Sequence, residues 1–192
     1  MIHEVIVTTI SNKGIVHIAP MGIRFIDKQV IISPFKPSTT LNNIIENNIA
    51  TINFIDDVRV FAGIVSRYKK DWELSARTDL DIVPNLTLTN TFYNVTVNEY
   101  QEDDKRPNII CDIKNSAIIK PFLGFNRAQF SVIEAAVLLS RLGMISMDKI
   151  DREIEYLKIG IDKTAGPNEL EAWRWIQDKI LSYKKDSKIP ND

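Results

Sequence analysis

The chain of 192 residues is 44% hydrophobic and 26% charged, with a formal net charge of −1. Its length suits one domain, or a larger domain with a small appendage, and its composition excludes intrinsic disorder but little else. Nucleic-acid-binding proteins usually carry a surplus or a stripe of basic residues, and neither is visible here. The lysines within 184–188 are typical of a solvated tail. No apolar run approaches the length of a membrane span, and a strand pattern follows directly on the first residues. We therefore expect a cytoplasmic protein without nucleic-acid or membrane partners.

The first third of the chain alternates between strand and turn patterns. Residues 3–10 and 15–18 are rich in β-branched side chains and flank a turn cluster, which predicts a hairpin. A second hairpin is predicted over 23–33, after a break at 19–22. The period then becomes helical over 38–48, where three successive hydroxyl side chains could supply the N-cap.

Further strands are predicted at 50–55 and 58–66, separated by a turn at Asp56 and Asp57 whose carboxylates we expect to face water. The stretch 67–90 has no regular pattern. Connections of this length are uncommon in compact domains and often cover a site or an interface.

Two more strands, at 91–100 and 109–119, complete a β domain over 1–122. Beyond it, apolar stripes at intervals of three and four residues predict a helical domain over 123–192. Its three helices are expected at 128–142, 148–159 and 168–182.

Few side chains suit acid–base or nucleophilic chemistry. Cys111 is the sole cysteine and lies in an apolar strand pattern, where a buried small hydrophobe is the expected role. His3 and His17 are isolated on strand patterns, which argues against a catalytic triad or a metal site, and we name no catalytic residue. Trp173 and Trp175 cannot share one helix face, so we expect one in the core and the other against the barrel, a partner or solvent.

The region 17–43 is the most informative about function. It begins with a strand end at 17–22 and a hairpin, continues as Ser33-Pro34-Phe35-Lys36-Pro37-Ser38-Thr39-Thr40, and then opens the predicted helix with Asn42 and Asn43. Hydroxyls, a lysine and free main-chain N–H groups at a helix start favour a phosphate. On spacing alone an ordinary N-cap is the stronger interpretation, because one Ser or Thr suffices for it.

Two stretches of the chain resemble sequence motifs of the flavin-reductase-like FMN-binding split barrels. In those proteins Ala-Pro-x-(Ser/Gly) at the end of a strand is followed later by Thr-x-x-Asn at a helix start. The counterparts here are Ala19-Pro20-Met21-Gly22 and Thr40-Leu41-Asn42-Asn43. Nearly the whole chain is similar to a mostly archaeal, functionally uncharacterised family in which that barrel is fused to a helical C-terminal domain. This resemblance continues through 124–128, 132–137 and 162–164.

The resemblance implies an α+β fold, with an FMN-binding split β-barrel followed by a small three-helix domain. It also implies a homodimer with FMN in the groove between the subunits. The Lys-Asp-Thr that is usual in true flavin reductases is replaced here by Pro37-Ser38-Thr39-Thr40. The cofactor-binding residues it suggests are Ala19, Pro20, Met21, Gly22, Ser33, Phe35, Lys36, Ser38, Thr39, Thr40, Asn43 and Arg127.

Three functions remain open at this point. The first is an FMN-dependent oxidoreductase with a small-molecule redox partner, such as a nicotinamide nucleotide. The second is a module that stores or senses FMN without turnover, and the third is a reductase acting on a methanopterin cofactor. Asn126, Arg127, Lys163 and Thr164 could cap helices and form surface ion pairs, or they could reach the flavin or an anionic substrate.

Overall fold

A computed structural model describes residues 1–76, 79 and 82–186. The chain divides into two compact units. The barrel unit comprises Met1–Asp56 and Trp72–Phe122, and the helical unit comprises Asp57–Asp71 and the chain from Leu123 onward. The part of the predicted solvated tail beyond Asp186 lies outside the described residues.

The barrel unit is a closed antiparallel barrel with the strand order β1-β2-β3-β6-β5-β4. Alternate side chains of the strands, including Val5, Val7 and Ile52, fill its interior, as the period of two requires. The strands predicted at 3–10, 50–55, 91–100 and 109–119 are confirmed. Their bounds are β1 Ile2–Ile10, β2 Val16–Ile26, β3 Gln29–Ile32, β4 Ile49–Phe54, β5 Thr91–Gln101 and β6 Asn108–Ile118.

β2 is one continuous strand, so the predicted break at 19–22 is wrong. It pairs with β1 over 16–24 but with β3 only over 23–26, so within the described residues 16–22 have a neighbouring strand on one side only. Pro20 lacks an N–H and is tolerated because this half of the strand is an edge. A Cβ on Gly22 would lie 2.8 Å from Ile2 Cγ2, so glycine lets β1 pass closely.

Helix α1 spans Thr39–Asn47 and confirms the predicted helix. Ser38 is its N-cap, with Oγ accepting the N–H of Leu41 at 3.2 Å. Leu41 and Ile44 are buried in the barrel core. The cap at Asn48 takes the left-handed conformation, with φ 58°, which ends the helix.

The predicted strand at 58–66 is wrong, because Arg59–Ser66 forms helix α2. Short apolar runs are ambiguous between a strand and a buried helix, and this one buries most of its residues. The preceding Asp57 also does not face water. Its carboxylate is 9% exposed and accepts the main-chain N–H of Arg59 at 3.1 Å, which favours the helix start.

Three further helices follow in the helical unit, and they confirm the three helices predicted there: α3 Arg127–Ser140, α4 Met147–Thr164 and α5 Pro167–Asp186. Asn126 caps α3 by accepting the N–H groups of Ala128 and Gln129 at 2.7 and 3.2 Å. Its Nδ2 donates to the carbonyl of Thr164 at the end of α4, so the cap also ties the two helices together.

Both tryptophans of α5 are buried, so neither lies in solvent, which was one of the positions that the sequence left open. Trp175 stacks on Tyr68 with 5.8 Å between ring centroids. Tyr68 follows α2, and α2 packs against α3 and α5. Helix α2, which was predicted as a strand, thus covers a second face of α5. This explains how Trp173 and Trp175, only two residues apart, are both buried.

The connection after α2 lies over outward-facing polar side chains of the barrel. Thr8 and Thr51 donate to the carbonyls of Pro84 and Val83 at 2.9 and 2.6 Å. Asn53, which is fully buried, accepts the N–H of Leu86 at 2.8 Å. Within its described residues, this connection therefore satisfies a polar row on the outside of β1 and β4.

Candidate functional site

The edge of β2 holds the first group of predicted site residues. Ala19, Pro20, Met21 and Gly22 are half-buried and pair in register with residues 7 to 4 of β1. Met21 packs against the barrel core. β3 pairs with β2 only from residue 23 onward. On the side away from β1, the main-chain groups of 19–22 therefore have no strand partner among the described residues.

Ser33 directly follows β3 and belongs to a hydrogen-bond cluster that sequence reasoning missed. Its Oγ donates to Asn108 Oδ1 at 2.8 Å, and Arg24 Nη2 donates to the same oxygen at 2.9 Å. Arg106 donates from Nε and Nη2 to the Ser33 carbonyl at 3.2 and 3.0 Å. The β3–β6 register places Ile32 beside Ile109 and so brings residues about 75 positions apart together.

Phe35 and Lys36 follow Ser33 on the same surface. The Phe35 ring is 63% exposed, and the Arg106 guanidinium lies 4.4 Å from its centroid. Lys36 forms an ion pair with Glu102, and this hydrogen bond raises the pKa of Lys36 and lowers that of Glu102. The positive charge of Lys36 therefore already has a counterion within the chain.

The helix start contributes the last members of the predicted barrel set. Ser38 is engaged as the N-cap, Thr39 is exposed, and Thr40 is 1% exposed. Asn43 is buried and donates from Nδ2 to Thr9 Oγ1 at 3.0 Å, which ties α1 to β1. The structure thus brings Ser33 to Asn43 together on one loop and helix start, and Thr39 presents its hydroxyl to solvent.

Arg127 lies in the helical unit, as the exposed first residue of α3. Its neighbours Asn126 and Thr164 have the capping role, since Thr164 Oγ1 also accepts the N–H of Ala128 at 3.0 Å. A role for Arg127 in flavin binding stays a prediction.

Two titratable groups of the barrel have shifted pKa values. Burial lowers the pKa of His17, which lies opposite Thr9 on β2 and is half-buried. Burial, together with the nearby charge of Asp112, raises the pKa of the Cys111 thiol to about 12. Cys111 is therefore a protonated core residue at neutral pH, as the sequence predicts. No helix in the part of the chain that the structure describes is long and apolar enough to cross a membrane.

Residues 3–120 match the family model described as "Protein of unknown function (DUF447) N-terminal domain". The chain belongs to this family. Residues 126–178 match the companion model, "Protein of unknown function (DUF447)". An uncharacterized protein from Methanocaldococcus jannaschii is 26% identical over 149 residues, which cover 74% of this chain and 75% of that protein.

Solved structures are similar to this DUF447 chain in fold. The crystal structure of an FMN-bound DUF447 protein from Methanosarcina mazei superposes with a TM-score of 0.78 at 20% identity, covering 93% of this chain and 94% of that one. The flavin reductase of a styrene monooxygenase from Pseudomonas putida gives 0.52 at 13% identity over 61% and 81%. A flavoredoxin from Methanosarcina acetivorans gives 0.51 at 16% identity over 64% and 72%. The predicted fold, a split barrel followed by helices, is confirmed.

Proposed function

We propose that this protein is an FMN-binding flavoprotein that acts as a homodimeric oxidoreductase, with FMN near the subunit interface. The observation that carries the proposal is the half-open edge of β2 at 16–22, in a barrel whose loop 33–40 leads into a helix N-terminus. The FMN-bound relative in the same family supports the choice of ligand.

The residues present fit such a cofactor. An isoalloxazine ring needs a flat, largely apolar slot with a few polar groups that fix its orientation. Pro20 and Met21 offer apolar surface, and the unpaired main-chain groups of the β2 edge offer donors and acceptors. The N–H groups at the start of α1 and the hydroxyls of Ser38, Thr39 and Thr40 favour a phosphate.

FMN, when bound, supplies reversible hydride and electron transfer. The chain's own residues would bind it, orient it and limit the access of water. No acid, base or nucleophile is required of the protein. This agrees with a protonated Cys111 and with a His17 whose lowered pKa keeps it neutral at pH 7.

Exposed apolar side chains support the homodimer. At the end of the barrel unit, Ile118, Ile119 and Phe122 are 78, 54 and 67% exposed within five consecutive residues. Large apolar side chains exposed together are rare on monomeric proteins and common at subunit interfaces. Light scattering at micromolar concentration should therefore give about twice the chain mass of 21.9 kDa, and a monomer mass would contradict this part of the proposal.

The visible spectrum tests the cofactor. We expect a yellow protein, or one that takes up FMN with measurable heat in calorimetry. A colourless protein that shows no heat with excess FMN would contradict FMN binding.

Anaerobic reduction of the bound flavin tests the reaction. Bleaching by NADH or NADPH would support an oxidoreductase with a nicotinamide donor, and bleaching by a reduced pterin alone would indicate a methanopterin-linked reductase. A flavin that none of these donors reduces would indicate a storage or sensing module.

A further inference from the structure

Two arginines of the barrel unit meet at Ser33. Arg24, on β2, donates to Ser33 Oγ at 3.3 Å and to Asn108 Oδ1 at 2.9 Å. Arg106, in the turn before β6, donates twice to the Ser33 carbonyl. Both guanidinium groups therefore contact one residue, at the beginning of the loop that leads to α1.

Neither guanidinium has a carboxylate partner among the described residues. Glu102 is paired with Lys36, and Gln29 donates to Asp112 at 2.8 Å. Asp103 is next to Arg106 in sequence, but its Oδ1 accepts the main-chain N–H groups of Lys105 and Arg106 at 2.8 and 2.6 Å. The arginines are thus bound by neutral oxygens alone.

The lack of a carboxylate partner within the described residues is unusual for Arg24, because it is half-buried, whereas Arg106 is exposed. Arg24 is half-buried and Ser33 is 9% exposed, and charges removed from water are normally paired with an opposite charge. The neutral hydrogen bonds orient the two guanidinium groups but leave their charges uncompensated. The remaining N–H groups of each planar fork suit the oxygens of a phosphate.

We propose that Arg24 and Arg106 form an anion site that binds a phosphate group, with Phe35 and Asn108 holding the two forks in place. The proposal rests on the proposed function, because the phosphate of FMN is one source of this group. The phosphate of a phosphorylated redox partner is the other source.

The alternative is that the arginines only tie β2, β3 and the turn at 103–106 together. A structural role alone would weaken every ligand of the barrel alike. An anion site would instead discriminate between ligands with and without a phosphate. Riboflavin, which is FMN without its phosphate, is therefore the matched probe.

The experiment compares the dissociation constants of FMN and riboflavin for the full chain and for Arg106→Gln and Arg24→Gln. We expect each variant to bind FMN roughly tenfold to a hundredfold more weakly, as for the loss of a charged hydrogen bond, with riboflavin unchanged. Lys105→Gln is the control, since it removes an equal charge from the same turn. It should leave both constants unchanged.

The same proteins are titrated with inorganic phosphate and with NADPH. If the FMN-to-riboflavin ratio is unchanged but the variants lose stabilisation by phosphate and affinity for NADPH, the site exists and serves the redox partner. If FMN and riboflavin weaken equally, or if no phosphate-bearing probe is affected, the anion site is overturned.

Two measurements keep the outcome interpretable. Circular dichroism and the melting temperature show whether each variant folds, and Arg106, which is exposed, carries the test if Arg24→Gln unfolds. Arg106→Lys keeps the charge and should restore part of the phosphate preference. If the wild-type chain binds neither flavin, the proposed function fails, while stabilisation by phosphate that is lost in Arg106→Gln would still support the site.

Discussion

Two groups of arginines, one in the helical unit and one in the barrel unit, differ in the partners of their charges. In the helical unit, Arg59 donates to both oxygens of Asp57, at 2.9 and 2.6 Å, and to Glu171 at 3.3 Å. The hydrogen bond to Asp57 raises the pKa of Arg59 further above its ordinary value. In the barrel unit, Arg24 and Arg106 bind only neutral oxygens. An arginine whose charge is paired with carboxylates within the chain indicates a structural role. An arginine that binds only neutral oxygens is a candidate for binding an anionic ligand.

Arg59→Ala should have the largest effect on stability. It leaves the Asp57 carboxylate, 9% exposed, without its counterion. Breaking a buried pair costs about 3–5 kcal/mol, and because Arg59 is itself 26% exposed we expect about 3 kcal/mol. Urea unfolding measures this. Lys158→Ala is the control, since its pair with Asp162 is 57% exposed on both sides and should cost less than about 0.5 kcal/mol. Equal losses of unfolding free energy in Arg59→Ala and Lys158→Ala would contradict a structural role for the Arg59–Asp57 pair.

Gly160→Ala tests how closely α3 and α4 approach each other. A Cβ at this position would meet Ser131 Oγ and lie 3.0 Å from the carbonyl oxygen of Arg127. Overpacking of this kind costs about 1–3 kcal/mol. Adding Ser131→Ala removes one of the two contacts and should recover part of the loss. An unchanged midpoint in thermal unfolding would show that the helices separate at little cost.

Changing Ser38→Ala together with Thr40→Ala tests the helix start as a phosphate site. We expect FMN to bind about tenfold more weakly or worse, since two hydroxyls are lost. Ser38 is also the N-cap of α1, so the unfolding free energy should fall by about 1 kcal/mol with the fold kept. Deleting 187–192 is the control and should leave FMN binding unchanged. Loss of FMN on truncation but not in the double variant would locate the site elsewhere.

The smallest effect concerns His17. Its pKa is lowered in the folded state, so the unfolded chain binds more protons as the pH falls through the ordinary value of 6.5. Stability contributed by the neutral imidazole is therefore complete above that pH and is lost below it. Denaturation at pH 7.5 and 5.5 should show a modest decline that is smaller in His17→Gln. An identical decline in both proteins would assign it to the carboxylates instead.

Local patterns were sufficient for much of the fold. The β-branched runs of β1, β5 and β6 and the hydroxyl-capped start of α1 follow from neighbours within a few residues. The apolar stripes of the three C-terminal helices do so as well, and the apolar run around Cys111 indicated its burial. These features depend on backbone preferences and on which face of an element is apolar, and both can be read locally.

The tertiary structure alone decided the rest. The run at 58–66 is a helix because it packs within the helical unit, and the continuity of β2 past Pro20 depends on β1 beside it. The cluster at Ser33 joins Arg24, Arg106 and Asn108, which lie 9, 73 and 75 residues from it. The register between β3 and β6 places Asn108 beside Ser33, and no local pattern encodes that register. Such long-range pairing decides whether a charged side chain has a counterion in the fold. The sequence could therefore predict a loop that favours a phosphate, but it could not identify these arginines.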